Sequence, residues 1–336
     1  MNDYNQYNFI PTAPINPQKG EERKKVKKVS NLIGAAFIVL WLVPDILNSL
    51  LSDIIKIFSP SPEINAYLAD PAFIMILQTV FSLIMFTLPF LILPKGLGKR
   101  VSDFAYIKRP NGRLFFSFVL MGVGLSAVAN LVTNKLAAIF DAFGIHFMLP
   151  DIAYPEGVFG FALSFIAIAV TPALVEEFAT RGMVMGAARQ FGEGFGLIAS
   201  AVFFALMHGN MVQIPFAFIM GLIIGFAVIK SGSLITGIAI HFFNNAISVC
   251  LTYVMESVQS VKVESVISLF YIVFCLIIFL LGLGLAQKGE EKVWSLKPSE
   301  SLLSNGEKLK LFFLSPCMIA AVGLTVIDCI SLMSIS

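Results

Sequence analysis

Nine apolar stretches dominate this chain and limit what it can fold into. They lie near residues 31–51, 72–93, 114–140, 158–190, 195–208, 212–229, 234–254, 266–286 and 311–333. A helix needs about 20 apolar residues to cross the hydrocarbon core, and an open, irregular backbone is not tolerated there. The sequence therefore predicts an all-α polytopic membrane bundle of about 8–9 transmembrane helices, in which the fifth stretch is short for a span.

Composition agrees with this class. Of the 336 residues, 57% are hydrophobic and 13% are charged, which is typical of polytopic membrane proteins. The four cysteines all lie in apolar stretches and form no CxxC pair, so neither a disulfide framework nor a cysteine metal site is predicted. We expect the lipid bilayer as a partner and no nucleic acid.

The basic residues indicate the topology. If the N-terminus is cytoplasmic, all but three of the 23 lysines and arginines fall on the inner side, the exceptions being Lys56, Lys135 and Lys262. This asymmetry follows the positive-inside rule. It predicts an odd number of spans in the plasma membrane, with the C-terminus outside.

Four regions are expected along the chain. Residues 1–28 are polar and basic and predict a disordered cytoplasmic tail, which is not a signal peptide. Residues 29–113 hold the first transmembrane helices, 114–286 form the core, and 287–336 form a cytoplasmic loop and a last helix.

Among the polar side chains at membrane depth, where charge is costly, six are candidate site residues, and Asp45 and Asp328 lie apart from them. The six are Glu176, Glu177, Arg181, His208, His241 and Asn245. Glu177 and Arg181 are four residues apart and share a helix face, with the acid first, which favours a structural ion pair. Glu176 lies about 100° around the helix from Glu177 and has no such local partner.

Spacing also brings the remaining groups to one depth. Glu176 lies thirteen residues before Arg189, and His208 lies thirteen residues after Phe195, so both are about 20 Å from the inner surface. His241 and Asn245 fall at a similar depth and share one helix face. Pro172 is expected to loosen backbone hydrogen bonds one turn before Glu176.

A carboxylate, two histidines and an amide at one depth predict a hydrolytic centre. Glu176 would act as general base on a water, one histidine would position that water, and the other histidine with Asn245 would donate to an oxyanion. Alternatively, Glu176, His208 and His241 would hold a zinc ion, since His₂Glu with an open position is a known catalytic set.

Three motifs carry a family resemblance. EEFATR matches EExxxR, FALMH matches FxxxH with Phe204 first, and HFFNN matches HxxxN. Their order on successive apolar segments resembles the CAAX proteases and bacteriocin-processing enzymes, the Abi or type II CAAX prenyl endopeptidase group.

The resemblance implies an intramembrane peptidase acting on a peptide or protein that can be lipid-modified. It implies a helical bundle around a catalytic cavity open to the inner leaflet and cytoplasm. The implied catalytic residues are Glu176 as water activator, His208 as its partner, and His241 with Asn245 as the oxyanion pair. Glu177, Arg181 and Phe204 are implied to support the site.

Two other classes stay open at this point. One is a non-proteolytic scaffold or bacteriocin-immunity protein that keeps the same fold. The other is a secondary transporter with Glu176 and the histidines as a proton relay. No inverted repeat favours the transporter.

Overall fold

Helices account for most of the residues that the computed structural model describes, which are 16–58, 61–148, 153–289 and 293–335. The helices are α1 (Pro17–Phe58), α2 (Pro62–Leu68), α3 (Pro71–Met85), α4 (Leu88–Gly96), α5 (Gly112–Ala142), α6 (Gly157–Ser164), α7 (Thr171–Glu177), α8 (Met185–Ala188), α9 (Glu193–Leu206), α10 (Ile214–Ser231), α11 (Leu234–Glu256), α12 (Val261–Gln287), α13 (Asn305–Phe313) and α14 (Pro316–Ser331). Two short strands, β1 (Ile145–Phe147) and β2 (Met333–Ile335), pair antiparallel. The predicted all-α membrane bundle is confirmed.

Within the described ranges, seven helical elements are long and apolar enough to cross a membrane, and an eighth is formed if α13 and α14 count together. These two helices meet at a bend of 70°. The predicted stretch at 195–208 is different, because α9 has only 14 residues, or about 21 Å. It enters the bundle without being long enough to cross it.

The element from Gly157 to Phe191 is one continuous helix with two π-helical segments, Phe165–Val170 and Phe178–Val184. Pro172 has no N–H, so the carbonyl of Ile168 lacks its α-helical donor. This agrees with the predicted loosening of the backbone. A π-helical turn changes the direction in which nearby side chains point around the helix. The two segments lie on either side of α7 and therefore set the direction of its paired glutamates.

The two ends of the bundle are identified by long-range contacts. Lys19 Nζ lies 3.1 Å from the carboxylate of Glu307, so α13 begins beside the start of α1. At the opposite end, Ile145 pairs with Ile335, so α14 finishes where α5 finishes. The α13–α14 pair therefore runs the length of the bundle. Gly34 permits its close approach to α1, because a Cβ there would lie 2.5 Å from the backbone of Cys317.

The prediction of a disordered tail over 1–28 is wrong for residues 17–28, which form the first turns of α1. Their apolar surface is small but well placed, since Val26 is fully buried. The carboxylate of Glu22 also accepts hydrogen bonds from Ser301 Oγ and from the Leu302 N–H. Residues 1–15 lie outside the described ranges.

A buried lysine ties the same region to the glutamate-bearing helix. Lys308 is 1% exposed, and its Nζ donates to the carbonyl of Phe191 at 2.8 Å and to Ser299 Oγ at 3.1 Å. The carbonyl of Phe191 is one of the free acceptors at the end of the Gly157–Phe191 element, so the cation caps that end.

Candidate active site

A cavity of about 800 Å³ lies inside the bundle between α5, α7, α10, α11 and α12. Four residues that the sequence predicted to meet all line it: Glu176, His208, His241 and Asn245. They come from α7, the turn after α9, and α11, so the helices bring together groups that are up to 69 positions apart in sequence. The predicted meeting at one level is therefore observed as a shared cavity wall.

Glu177 and Arg181 form the predicted ion pair and lie out of contact with solvent. Arg181 donates to Glu177 Oε1 at 2.6 Å, and both side chains are 0% exposed. Arg181 donates further to Thr180 Oγ1 at 2.9 Å and to the Gly221 carbonyl at 3.3 Å. A buried charge pair needs such added hydrogen bonds to offset its desolvation. The pair also joins this helix to α10.

His241 contacts both glutamates through different ring nitrogens. Its Nδ1 lies 3.0 Å from Glu177 Oε1, and its Nε2 lies 4.0 Å from Glu176 Oε2. Since a carboxylate only accepts, Glu177 assigns the Nδ1 proton to His241 and directs Nε2 toward Glu176. Glu177 therefore holds both the arginine and the histidine ring.

His208 is oriented by its own helix. Its Nδ1 donates to the carbonyl of Phe204 at 2.7 Å, which leaves Nε2 with a lone pair. The Phe204 ring contacts two residues of the site: its centroid is 4.2 Å from the Arg181 guanidinium carbon and 5.7 Å from the centroid of the His241 ring. The supporting role of Phe204 stays a prediction, and these are the contacts through which it would act.

The backbone after α9 turns sharply at the site, through His208, Gly209 and Asn210. Asn210 closes the turn by donating to the His208 carbonyl at 3.0 Å and to Gln213 Oε1 at 2.7 Å. Gly209 has φ of +65°, and a Cβ there would lie 2.3 Å from the ring of Trp41. Only glycine fits this position, and the close contact with α1 fixes the turn that holds His208.

Asn245 supplies a hydrogen bond that the backbone of the glutamate-bearing helix lacks. Its Nδ2 donates to the carbonyl of Ile168 at 2.9 Å, the group that Pro172 leaves without an α-helical donor. Its Oδ1 accepts from Asn244 Nδ2 at 3.1 Å. One amide N–H of Asn245 is therefore committed to the fold, and the second is available to the cavity.

The zinc alternative does not fit the residues as they are placed. Among the described residues, no group of three or more His, Cys, Asp and Glu side chains is arranged to hold a metal ion. Glu176, His208 and His241 line one cavity without converging on a single point as ligands.

A polar stripe on the cavity wall is absent from the predicted site residues. Four residues of α11 line the cavity at four-residue intervals: Asn244, Ser248, Thr252 and Glu256. This spacing is readable from the sequence as one helix face. Tyr154 lies beside the far end of the stripe, and burial raises the pKa of its phenol, so the phenol stays a neutral hydrogen-bond donor.

The cavity extends away from one end of the bundle, here called the basic end, which holds the loop with Lys99, Arg100, Lys108 and Arg109 before α5. Its lining follows α11 from His241 to the exposed Glu256, about 22 Å along the helix. The start of α11 is at the basic end, because the Leu234 N–H donates to the Tyr106 carbonyl and Ser233 Oγ donates to the Lys108 carbonyl. The family resemblance implied a cytoplasmic opening, and the charge asymmetry put the cytoplasm at the basic end. The lining runs toward the other end of the bundle, and the cytoplasmic opening stays a prediction.

Comparison with known families identifies the segment that carries the site. Residues 158–247 match the family described as type II CAAX prenyl endopeptidase, Rce1-like. The matched segment contains all three motifs, so the predicted resemblance is confirmed over this part of the chain. No curated protein and no solved structure matches the chain.

Proposed function

Because residues 158–247 carry the family pattern of a type II CAAX prenyl endopeptidase, we propose that this multi-pass membrane protein is an intramembrane endopeptidase. It hydrolyses a peptide bond in a small or membrane-associated protein. The observation that carries the proposal is that Glu176, His208, His241 and Asn245 line one cavity inside the bundle. We further propose that it lies in the plasma membrane with its N-terminus in the cytoplasm.

Glu176 is the general base of the proposed reaction. Its carboxylate removes a proton from water while the water oxygen bonds to the substrate carbonyl carbon. Nε2 of His208 accepts a hydrogen bond from the other O–H of that water and orients it, since Nδ1–H is held by the Phe204 carbonyl. The carbon–nitrogen bond then breaks, and Glu176 returns the proton to the leaving amine.

His241 and Asn245 stabilise the oxyanion of the tetrahedral intermediate. Asn245 contributes its second amide N–H, because the first is bound to the Ile168 carbonyl. His241 presents Nε2 to the reacting groups, because the carboxylate of Glu177 holds its Nδ1–H. Glu177, Arg181 and Phe204 act by positioning these groups.

The test is cleavage of a quenched peptide library, prenylated and plain, by purified full-length protein. Glu176→Gln is expected to lower kcat about 10²- to 10⁴-fold, as for loss of a general base. Glu264→Gln is the matched control, because this carboxylate lies on α12 and does not line the cavity. Activity of the plain peptides would show that lipid modification is not required.

Two results would contradict the proposal. If folded, monodisperse wild-type protein and Glu176→Gln were equally inert on the library and on candidate natural substrates, a scaffold or immunity role would replace it. If a strong chelator abolished turnover and zinc restored it, the mechanism would need a metal. We expect turnover to survive the chelator, because the described side chains do not converge as metal ligands.

A further inference from the structure

The polar stripe on α11 has a regular spacing along the cavity. Asn244, Ser248, Thr252 and Glu256 recur every four residues, so neighbouring groups are about 6 Å apart along the helix. An extended peptide repeats every two residues, or about 6.7 Å. The spacing of polar groups along the stripe therefore nearly equals the spacing of the backbone groups on one side of an extended peptide.

The length of the stripe sets the length of peptide that it can contact. Asn244 to Glu256 covers twelve residues of helix, or about 18 Å. This distance corresponds to about five residues of extended chain. Asn244 neighbours Asn245 at the site, so a peptide along the stripe has one end at the reacting groups and the other near Glu256.

The permanent charge of the cavity lining is negative. Within the described residues the lining includes two carboxylates, Glu176 at the site and Glu256 at the far end, and no lysine or arginine. Glu256 is exposed, and the nearby Tyr154 is polar but uncharged at neutral pH. The far end therefore favours a cationic residue and disfavours an acidic one.

We propose that the α11 stripe is the substrate-binding wall, and that it takes about five extended residues with a basic residue at the end distant from the cleaved bond. This inference rests on the proposed endopeptidase function. It adds the class of substrate: an extended peptide segment, entering from the end of the bundle opposite the basic loops.

The experiment uses labelled peptides of two to eight residues on either side of the cleavable bond, each ending in Lys or Glu. Binding to full-length Glu176→Gln is followed by fluorescence anisotropy, and kcat/KM is measured with the wild type. Affinity should rise about two- to tenfold for each two added residues, as one more hydrogen bond forms, and level off near five. Lys should be preferred over Glu about two- to fivefold at low salt, as for an exposed charge pair.

Variants distinguish the contribution of the α11 stripe to binding from that of the reacting groups. Glu256→Gln should remove the Lys preference, whereas Glu264→Gln should keep it. Ser248→Ala should weaken the gain with length. Affinity that does not depend on peptide length, or a Lys preference that survives Glu256→Gln, would overturn the inference even if turnover is observed. Length- and charge-dependent binding without any wild-type turnover would support the wall and contradict the endopeptidase.

Discussion

His241 on α11 donates its Nδ1–H to Oε1 of Glu177 on α7, at 3.0 Å. The same oxygen accepts from Arg181 at 2.6 Å. Glu176 and Glu177 are adjacent, so their side chains diverge by about 100° around the helix. One carboxylate consequently joins its own helix to α11, and its partner Arg181 extends the contact to α10. The other carboxylate faces the cavity next to Nε2 of His241. Under the proposed function, Glu177 gives support and Glu176 does the chemistry, at two neighbouring positions.

The buried ion pair should be essential for stability. Arg181→Ala removes the guanidinium partner of the buried Glu177 carboxylate and leaves it the His241 Nδ1–H as donor. We expect a loss of about 3–5 kcal/mol in the free energy of unfolding. Arg189→Ala is the control on the same helix, because Arg189 is partly exposed and pairs with Glu193 at 3.4 Å. It should cost less than about 1 kcal/mol. Thermal unfolding in detergent measures both, and equal losses would contradict a special role for the buried pair.

The structural role of Asn245 should be separable by mutation from its proposed catalytic role. Asn245→Ala leaves the Ile168 carbonyl without its donor and should cost about 1–3 kcal/mol. Adding Pro172→Ala restores a backbone N–H that can bond to this carbonyl, so much of the stability should return. Cleavage activity should stay low in the double variant. A double-mutant cycle with no coupling between the two positions would contradict this account.

Substitution of Gly209 should cost more than the strain of a left-handed backbone conformation. Gly98 has nearly the same φ, +66° against +65°, but open space around it. Gly98→Ala should therefore cost only the left-handed strain, about 1–2 kcal/mol. Gly209→Ala must also displace Trp41 or the turn that holds His208, and we expect kcat to fall about 100-fold from that misplacement. Unfolding and cleavage assays on both variants test this; equal effects on kcat would contradict it.

The direction of the cavity can be tested by labelling. In a cysteine-free background, Thr252→Cys is compared with Lys262→Cys at the same end and Lys288→Cys at the basic end, using a membrane-impermeant thiol reagent on sealed vesicles. Thr252→Cys should react from the side that labels Lys262→Cys, because the lining runs to Glu256. Reaction from the Lys288 side would instead support the opening that the family resemblance implied.

The features that the sequence determined by itself depend on local spacing. Long apolar stretches are sufficient to predict a helical membrane bundle, since the bilayer leaves the backbone few alternatives. The four-residue interval between Glu177 and Arg181 is sufficient to predict their ion pair, because the helix places them on one face. Three short motifs in order are sufficient to indicate the family over residues 158–247.

The tertiary structure decided what depends on contacts between distant segments. The Ile168 carbonyl finds its donor 77 positions away, and the first turns of α1 are ordered by groups about 280 positions away. The 70° bend between α13 and α14, and the direction of the cavity, likewise follow from packing between helices. Periodicity tells which face of a helix is polar, but it does not tell which other helix that face meets. That choice is made by long-range packing, and it determines which polar groups form the site.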